Sequence, residues 1–335
     1  MKNYKRLTSI SSSTLKASSF DTLYEWEKII SEKLNLKIEK QNKFITWIYR
    51  QIEVRLKMRD LFHRLVPSTS LSLLFVMKAN TQKSCRLTKN TIPVIIDFWL
   101  AENQLKSFYE NFKHCPLVLI TSAEVYQFLL GHNCPLNIAH WPLSLPDYHK
   151  LSPDAVFDKK WDLALLGRTN PYFLNFLERY CEKHPDFEYV LGTNNIDNRF
   201  FYTNKGKKVG HAIGRDAYLD ILRATKISFY TTPGLDLAKT ETNFFNQVTP
   251  RFLELISGGC LVMAHYPKNA DTDYYEMDSF CKDIDSYEEF EKQLDILRDI
   301  KVIPIKKYSE YLSKHITSQR INLFLKLLEQ NLIKI

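Results

Sequence analysis

The residues with the most chemical potential sit in one short stretch, TPRFLELISGGCLV, Thr249 to Val262. Pro250 suits the first turn of a helix, because its missing N–H would go unpaired there in any case. Phe252, Leu253, Leu255 and Ile256 recur at helical spacing. Gly258 and Gly259 stop the helix, since glycine accepts the left-handed conformation that follows a C-cap. One acid, Glu254, lies inside the apolar turns, either as a solvated helix carboxylate or as part of a ligand site. Arg251 stands one helical turn before it, which suits an ion pair with Glu254 or a phosphate contact at the helix start. Thr249 can cap the helix or donate to the same phosphate.

Other candidates are spread along the chain. Gly167 and Arg168 end an apolar strand, and ligands of α/β sheets bind beyond such strand ends. Arg168 is there either a surface arginine or a fork onto a diphosphate. Lys226 opens a strand, as a solvated end or a ligand contact. Asp97 closes another strand and is a general base on an acceptor hydroxyl or a cap for the next segment. The serine-rich turn SSST, 11–14, is a phosphate or acceptor loop or a plain turn. The D-T-D at 271–273 tempts a metal reading, but its polar surroundings favour a solvated loop, and no metal site is expected. His140 and His211 read as structural.

These residues need elements to hold them. Apolar strands are expected at 5–11, 36–40, 72–79, 92–98, 116–122 and 137–142. Helical patterns from Asp21, over 44–65, 101–113 and 123–130 lie between them. Strands that are apolar throughout and alternate with helices imply a parallel sheet covered on both faces. HWPLSLPDYHKLSP, 140–153, carries Pro142, Pro146 and Pro153 and reads as a linker. The pattern then restarts with strands at 161–167, 187–192, 226–232 and 260–264 and helices at 171–183, 215–224, 250–257, 286–298 and 307–329. The expected domains are 1–145, 146–306 and a C-terminal helical segment, 307–335, returning to the first domain. Two α/β domains joined in this way put a cleft between them, where ligand sites concentrate.

Composition narrows the classes. The chain has 335 residues, 44% hydrophobic and 25% charged, long enough for two ordinary globular domains. A net charge of +8 favours anionic partners. The basic residues are distributed and carry no nucleic-acid motif, so a nucleic-acid partner is not expected. The segment 43–65 interleaves basic residues with Trp47, Tyr49, Ile52 and Phe62. It is either a core-packed helix with a basic outer face or a peripheral contact with anionic lipid. The six cysteines form no C-x-x-C pair, which fits free thiols in a reducing compartment. With no secretory leader and no long apolar run, a cytoplasmic protein is expected, in contact at most with the inner face of the membrane.

Four fragments in order resemble the nucleotide-sugar-binding domain of GT-B glycosyltransferases of the group-1 type, in the flavour related to the spore-maturation-protein family. They are DLALLGR at 162–168, AYLDILRATKISFYTTPG at 217–234, RFLELISGGCLV at 251–262 and SYEEFEKQLDILR at 286–298. The likeness covers roughly residues 110–300 and is firmest over 160–265. It implies two Rossmann-like α/β/α domains facing a central cleft, a nucleotide-diphosphate sugar donor and no other cofactor. It further implies a hexosyltransferase-type activity, and a surface glycan or lipid-linked precursor as acceptor. The nucleotide set it implies is Gly167, Arg168, Lys226, Thr249, Arg251, Glu254 and Gly258, with Glu254 accepting from the ribose hydroxyls. Arg168 and Arg251 would stabilise the leaving diphosphate, with Asp97 as the third catalytic candidate. Members of this group carry a second acid eight positions before the first; Asn246 stands there, which leaves the donor sugar and the stereochemistry open. A nucleotide-sugar epimerase and a non-catalytic nucleotide-binding protein of the same fold are the rival readings.

Overall fold

The computed structural model describes residues 7–11, 20–40, 44, 47–48, 51–52, 71–79, 87–166, 170–191, 200–211, 214–235 and 240–333. Residues 12–14 of the serine-rich turn, and most of the basic segment 43–65, lie outside the described residues. The chain separates into two compact units, Met1–Asp147 with Thr317–Ile335, and Tyr148–Ile316.

In the first unit, β1 (Leu7–Ser11), β2 (Lys37–Lys40), β3 (Leu71–Lys78), β4 (Thr91–Asp97), β5 (Val118–Ile120) and β6 (Ile138–His140) form one parallel sheet. Its order is β2-β1-β3-β4-β5-β6. Leu73, Phe75, Ile92, Val94 and Leu119 are buried, as expected of strands covered on both faces. Helices α1 (Asp21–Leu34), α2 (Leu105–Phe112) and α3 (Ala123–Gly131) lie in the connections. Ser122 caps α3 by accepting the Val125 N–H at 3.1 Å.

The second unit is a mixed sheet in the order β10-β9-β8-β7-β11-β12. It contains β7 (Trp161–Leu165), α4 (Pro171–Lys183), β8 (Tyr189–Leu191), β9 (Phe200–Thr203), β10 (Lys208–His211) and α5 (Arg215–Arg223). After these come β11 (Thr225–Thr231), α6 (Pro250–Ser257), β12 (Leu261–His265), α7 (Ala270–Tyr274), α8 (Tyr287–Asp299) and α9 (Ile305–Ser313). Side chains of β11 alternate between faces. Ile227 and Phe229 pack with Phe173 and Leu177 of α4 and with Phe290 and Leu294 of α8. Tyr230 points the other way and meets Phe252 of α6 at 5.5 Å between ring centres. The antiparallel hairpin β9–β10 is absent from the sequence expectation. Its strands are four residues each and carry little apolar alternation, so no period marks them. The Thr203 hydroxyl, accepting the Lys205 and Lys207 N–H groups, organises the turn around Gly206 at φ +81°.

The double glycine after α6 divides its labour. Gly258 keeps helical dihedrals, φ −73°, and only Gly259 is left-handed, at φ +66°. A Cβ on Gly258 would lie 2.6 Å from Leu222 Cδ2, so this glycine lets α5 and α6 approach. Lys159 then closes the end of α6: its Nζ donates to Gly258 O and Thr225 O, both at 2.7 Å. Burial lowers the pKa of this ammonium to about 8.

The stretch expected as one helix over 307–329 is two, α9 and α10 (Thr317–Gln330). Between them Lys314 and His315 close back on Tyr311 O and Leu312 O. Thr317 then gives its N–H to Leu145 O at 3.0 Å. Helix α10 belongs to the first unit, where Ile321, Phe324 and Leu328 join the core of Leu23, Trp26, Phe75 and Trp141. The proline-rich segment read as a linker is a buried strap over Trp141–Pro146. Proline cannot join a ladder, yet the strap's carbonyls still need donors. Arg320 Nε reaches Pro142 O at 3.0 Å, and Trp26 Nε1 reaches Ser144 O at 3.0 Å. Trp141 Nε1 in turn donates to Arg320 O at 2.7 Å.

Phe324→Ala should lower the stability of the first unit by about 3–5 kcal/mol, read by chemical denaturation with the tryptophan signal. A pH effect is also expected. Burial, and then the nearby Arg320 charge, hold the His140 pKa down at about 4, against 6.5 for a free imidazole. Between those values the unfolded chain binds a proton that the folded chain refuses, so stability falls as pH drops from 6.5 through 4. The loss is on the order of 3 kcal/mol, and a His140→Gln variant should show a flatter acid limb in the same denaturation series.

Candidate functional site

The second sheet reverses its strand order between β7 and β11: β8 lies to one side of β7, while β11 and β12 lie to the other. Such a switch point parts the two flanking loops beyond the strand ends and leaves a crevice there. Asn170 spans it. Its Oδ1 caps α4 by accepting the Tyr172 N–H at 2.9 Å, and its Nδ2 donates to Leu235 O beyond β11 at 3.4 Å. Gly167 and Arg168, in the loop just before, lie outside the described residues.

The loop after β11 leads into α6, whose N-terminus opens at this strand-end edge. Thr249 has the extended dihedrals of an N-cap, but its side chain caps nothing. Its N–H donates to the Tyr230 hydroxyl at 2.9 Å, and burial raises that phenol to about 12. Arg251 follows, half-buried, and the expected ion pair with Glu254 does not form. Glu254 is 5% exposed, so it is not a solvated helix acid. Its Oε1 accepts from Arg215 Nη2 at 2.6 Å and its Oε2 from the Tyr218 hydroxyl at 3.1 Å. Burial, then the Glu254 charge, push the Tyr218 phenol well above its ordinary range.

Arg215 and Tyr218 were missed in the sequence. One signal was there: Arg215 opens α5, where the helix dipole disfavours a cation. An arginine in that place calls for an acid from elsewhere.

Asn246, eight positions before Glu254, is buried and committed to the loop. It accepts from Thr232 Oγ1 at 2.7 Å and donates to Phe244 O at 2.7 Å. His265 ends β12, stacked on Tyr172 with centroids 4.2 Å apart and with Nδ1 3.0 Å from Asp283 Oδ1.

Thr249, Arg251 and Glu254 therefore gather at the strand C-terminal edge. Lys226 and Gly258 do not join them. Lys226 opens β11 at the opposite edge, its Nζ donating to Arg298 O, and Gly258 sits beside Lys159 at that same edge. Lys226 there ties β11 to the end of α8, and Gly258 lets α5 and α6 approach. Asp97 ends β4 in the first unit, half-buried, with its carbonyl accepting the Ala79 N–H at 3.1 Å. The D-T-D is no solvated loop: Asp271 is fully buried in α7, which Asn269 caps through the Asp271 and Thr272 N–H groups. Among the described residues no group of three His, Cys, Asp or Glu is placed to hold a metal ion. Likewise no described helix is long and apolar enough to cross a membrane.

No family model and no curated protein matches the chain. Solved structures do. A protein from Listeria monocytogenes assigned as a UDP-N-acetylglucosamine 2-epimerase aligns at TM-score 0.53 and 10% identity, covering 98% of this chain and 97% of that one. A variant of S. aureus TarM, solved with UDP and sugar ligands, aligns at 0.53 and 13%, covering 76% and 55%. The pneumococcal O-GlcNAc transferase GtfA, with UDP and GlcNAc, aligns at 0.50 and 11%. That match covers 84% of this chain, which spans only 60% of the length of GtfA. At these identities the likeness carries the fold alone: α/β, with two Rossmann-like units as in GT-B proteins.

Removing one partner of the buried pair strands the other. Glu254→Ala should cost about 3–5 kcal/mol. Arg215→Met combined with Glu254→Leu should recover part of that loss in a denaturant titration, because an apolar pair leaves no buried charge.

Proposed function

We propose that this chain is a glycosyltransferase that moves a sugar from a nucleoside-diphosphate sugar to a glycan or lipid-linked acceptor without a metal ion. The observation that carries the reading is the convergence, at one switch point, of a buried carboxylate and a helix start whose Thr249 side chain is not spent on capping. A helix N-terminus attracts phosphate through its unpaired N–H groups and its dipole. In this reading the diphosphate lies against Thr249 and Arg251, and Arg251 stabilises the departing nucleotide. Glu254 accepts from the ribose diol by exchanging the Tyr218 hydroxyl for it. Arg168 assists at the diphosphate, and Asp97 serves as base on the acceptor hydroxyl. TarM and GtfA, both solved with UDP, support a uridine nucleotide.

One observation favours a second reading. The Listeria protein matches along nearly the whole of both chains, which supports a nucleotide-sugar epimerase of the same fold. Product analysis separates the two: a transferase yields a glycosylated acceptor and free nucleotide, an epimerase a second nucleotide sugar or the free sugar with no acceptor present.

A thermal-shift panel of UDP, GDP, CDP and ADP should show stabilisation by at least one, with UDP leading. Arg251→Ala should weaken UDP binding about tenfold and leave uridine binding unchanged. Absence of any nucleotide response would remove the donor-site reading.

A further inference from the structure

Among the described residues of the loop between β11 and α6, one large apolar side chain stands in water. Phe244 is 87% exposed, although Thr242 and the four residues that follow it, Phe245 to Val248, are buried. It also sits at φ +64°, directly after Asn243 at +49°. Asparagine tolerates the left-handed region; phenylalanine does not favour it, since its Cβ crowds the backbone there. A strained residue persists only where its surroundings over-determine it, and here they do. The Phe244 carbonyl accepts from Asn246 Nδ2, whose Oδ1 is in turn tied to Thr232. The loop lies flat on Gly234, where a Cβ would come within 2.7 Å of the carbonyls of Phe244 and Phe245. The backbone is clamped so that the ring points outward.

We propose that the Phe244 ring is a stacking platform for a neutral sugar ring, carried by the donor or by the acceptor. The inference deepens the glycosyltransferase reading and rests on it. Apolar C–H faces of a pyranose suit a single exposed ring, and a rigid aromatic gives contact area at low entropic cost. The neighbourhood argues against other occupants. Among the described residues, Glu241 and Asn243, its neighbours in sequence, are exposed and polar, which disfavours an apolar protein partner. The acid also disfavours anionic lipid.

Three variants test this in the full chain: Phe244→Ala, Phe244→Trp and Phe244→Gly. Affinities for UDP, UDP-N-acetylglucosamine and UDP-glucose are measured by calorimetry, and binding of cello-, malto- and chitotetraose by saturation-transfer NMR. Phe244→Ala should leave UDP affinity within twofold. It should erase the gain of a UDP-sugar over UDP if the donor sugar stacks, or weaken a tetrasaccharide about tenfold if the acceptor does. Phe244→Trp should retain either effect. The thermal midpoint of Phe244→Gly should stay level or rise, because the strain is relieved. UDP binding by the wild type with no sugar response to Phe244→Ala would overturn the stacking role alone, as would Phe244-dependent binding to anionic vesicles in place of saccharides. Failure of the wild type to bind any nucleotide would remove the transferase reading beneath it.

Discussion

An ionised carboxylate cannot be buried without a partner, and in the second unit that requirement ties two helices together. Glu254 comes from the middle of α6, and both of its partners come from the first turn of α5. Both helices cover the same side of β11, and Gly258 brings their far ends within contact of Leu222. The charge pair at one end and the glycine at the other set the distance between α5 and α6. That distance also sets where the α6 N-terminus opens beside the switch point. The pairing need not add net stability, since burying two charges costs several kcal/mol that their attraction only returns. Its effect is to hold the Glu254 carboxylate in a fixed place.

The two ends of the second sheet have different tasks. At the strand N-terminal edge, Lys159 and Lys226 donate to backbone carbonyls that the helix and strand ends leave open. At the C-terminal edge, Thr249 caps no helix but meets the Tyr230 hydroxyl through both its N–H and its Oγ1, and Asn170 reaches across the crevice at 3.4 Å.

Much of this was legible beforehand. Continuous apolar strands alternating with amphipathic helices announce a parallel, doubly covered sheet, and the helix with Glu254 is visible from its period and its terminal glycines. The hairpin at 200–211 was not, because eight strand residues with one clear pair of apolar positions carry no period. Arg215 and Tyr218 stand far from Glu254 in sequence, and only the fold of α5 against α6 brings them near. Lys226 and Gly258 show the opposite failure. Membership of the family-like fragments placed them in the site, but a strand or helix carries a residue some 1.5–3.4 Å per position, and both lie at the far edge. For the strap at 140–146, proline content suggested a linker, whereas the carbonyls of Pro142, Ser144 and Leu145 are each matched with a donor from α1 or α10.

That strap has a consequence for how the protein is made. Ile321, Phe324 and Leu328 belong to the same core as Leu7 and Leu23. A ribosome builds the chain from its N-terminus, so the first strand emerges long before the side chains that cover its sheet. The residues of the second unit are all synthesised before α10 is. During synthesis, then, the earlier-born sheet waits with Trp26, Phe75 and Trp141 short of their last neighbours, while the later-born unit already has its full complement of residues. The half of the molecule that is begun first is the half that is finished last, and a nascent chain released early would carry an open core at its head.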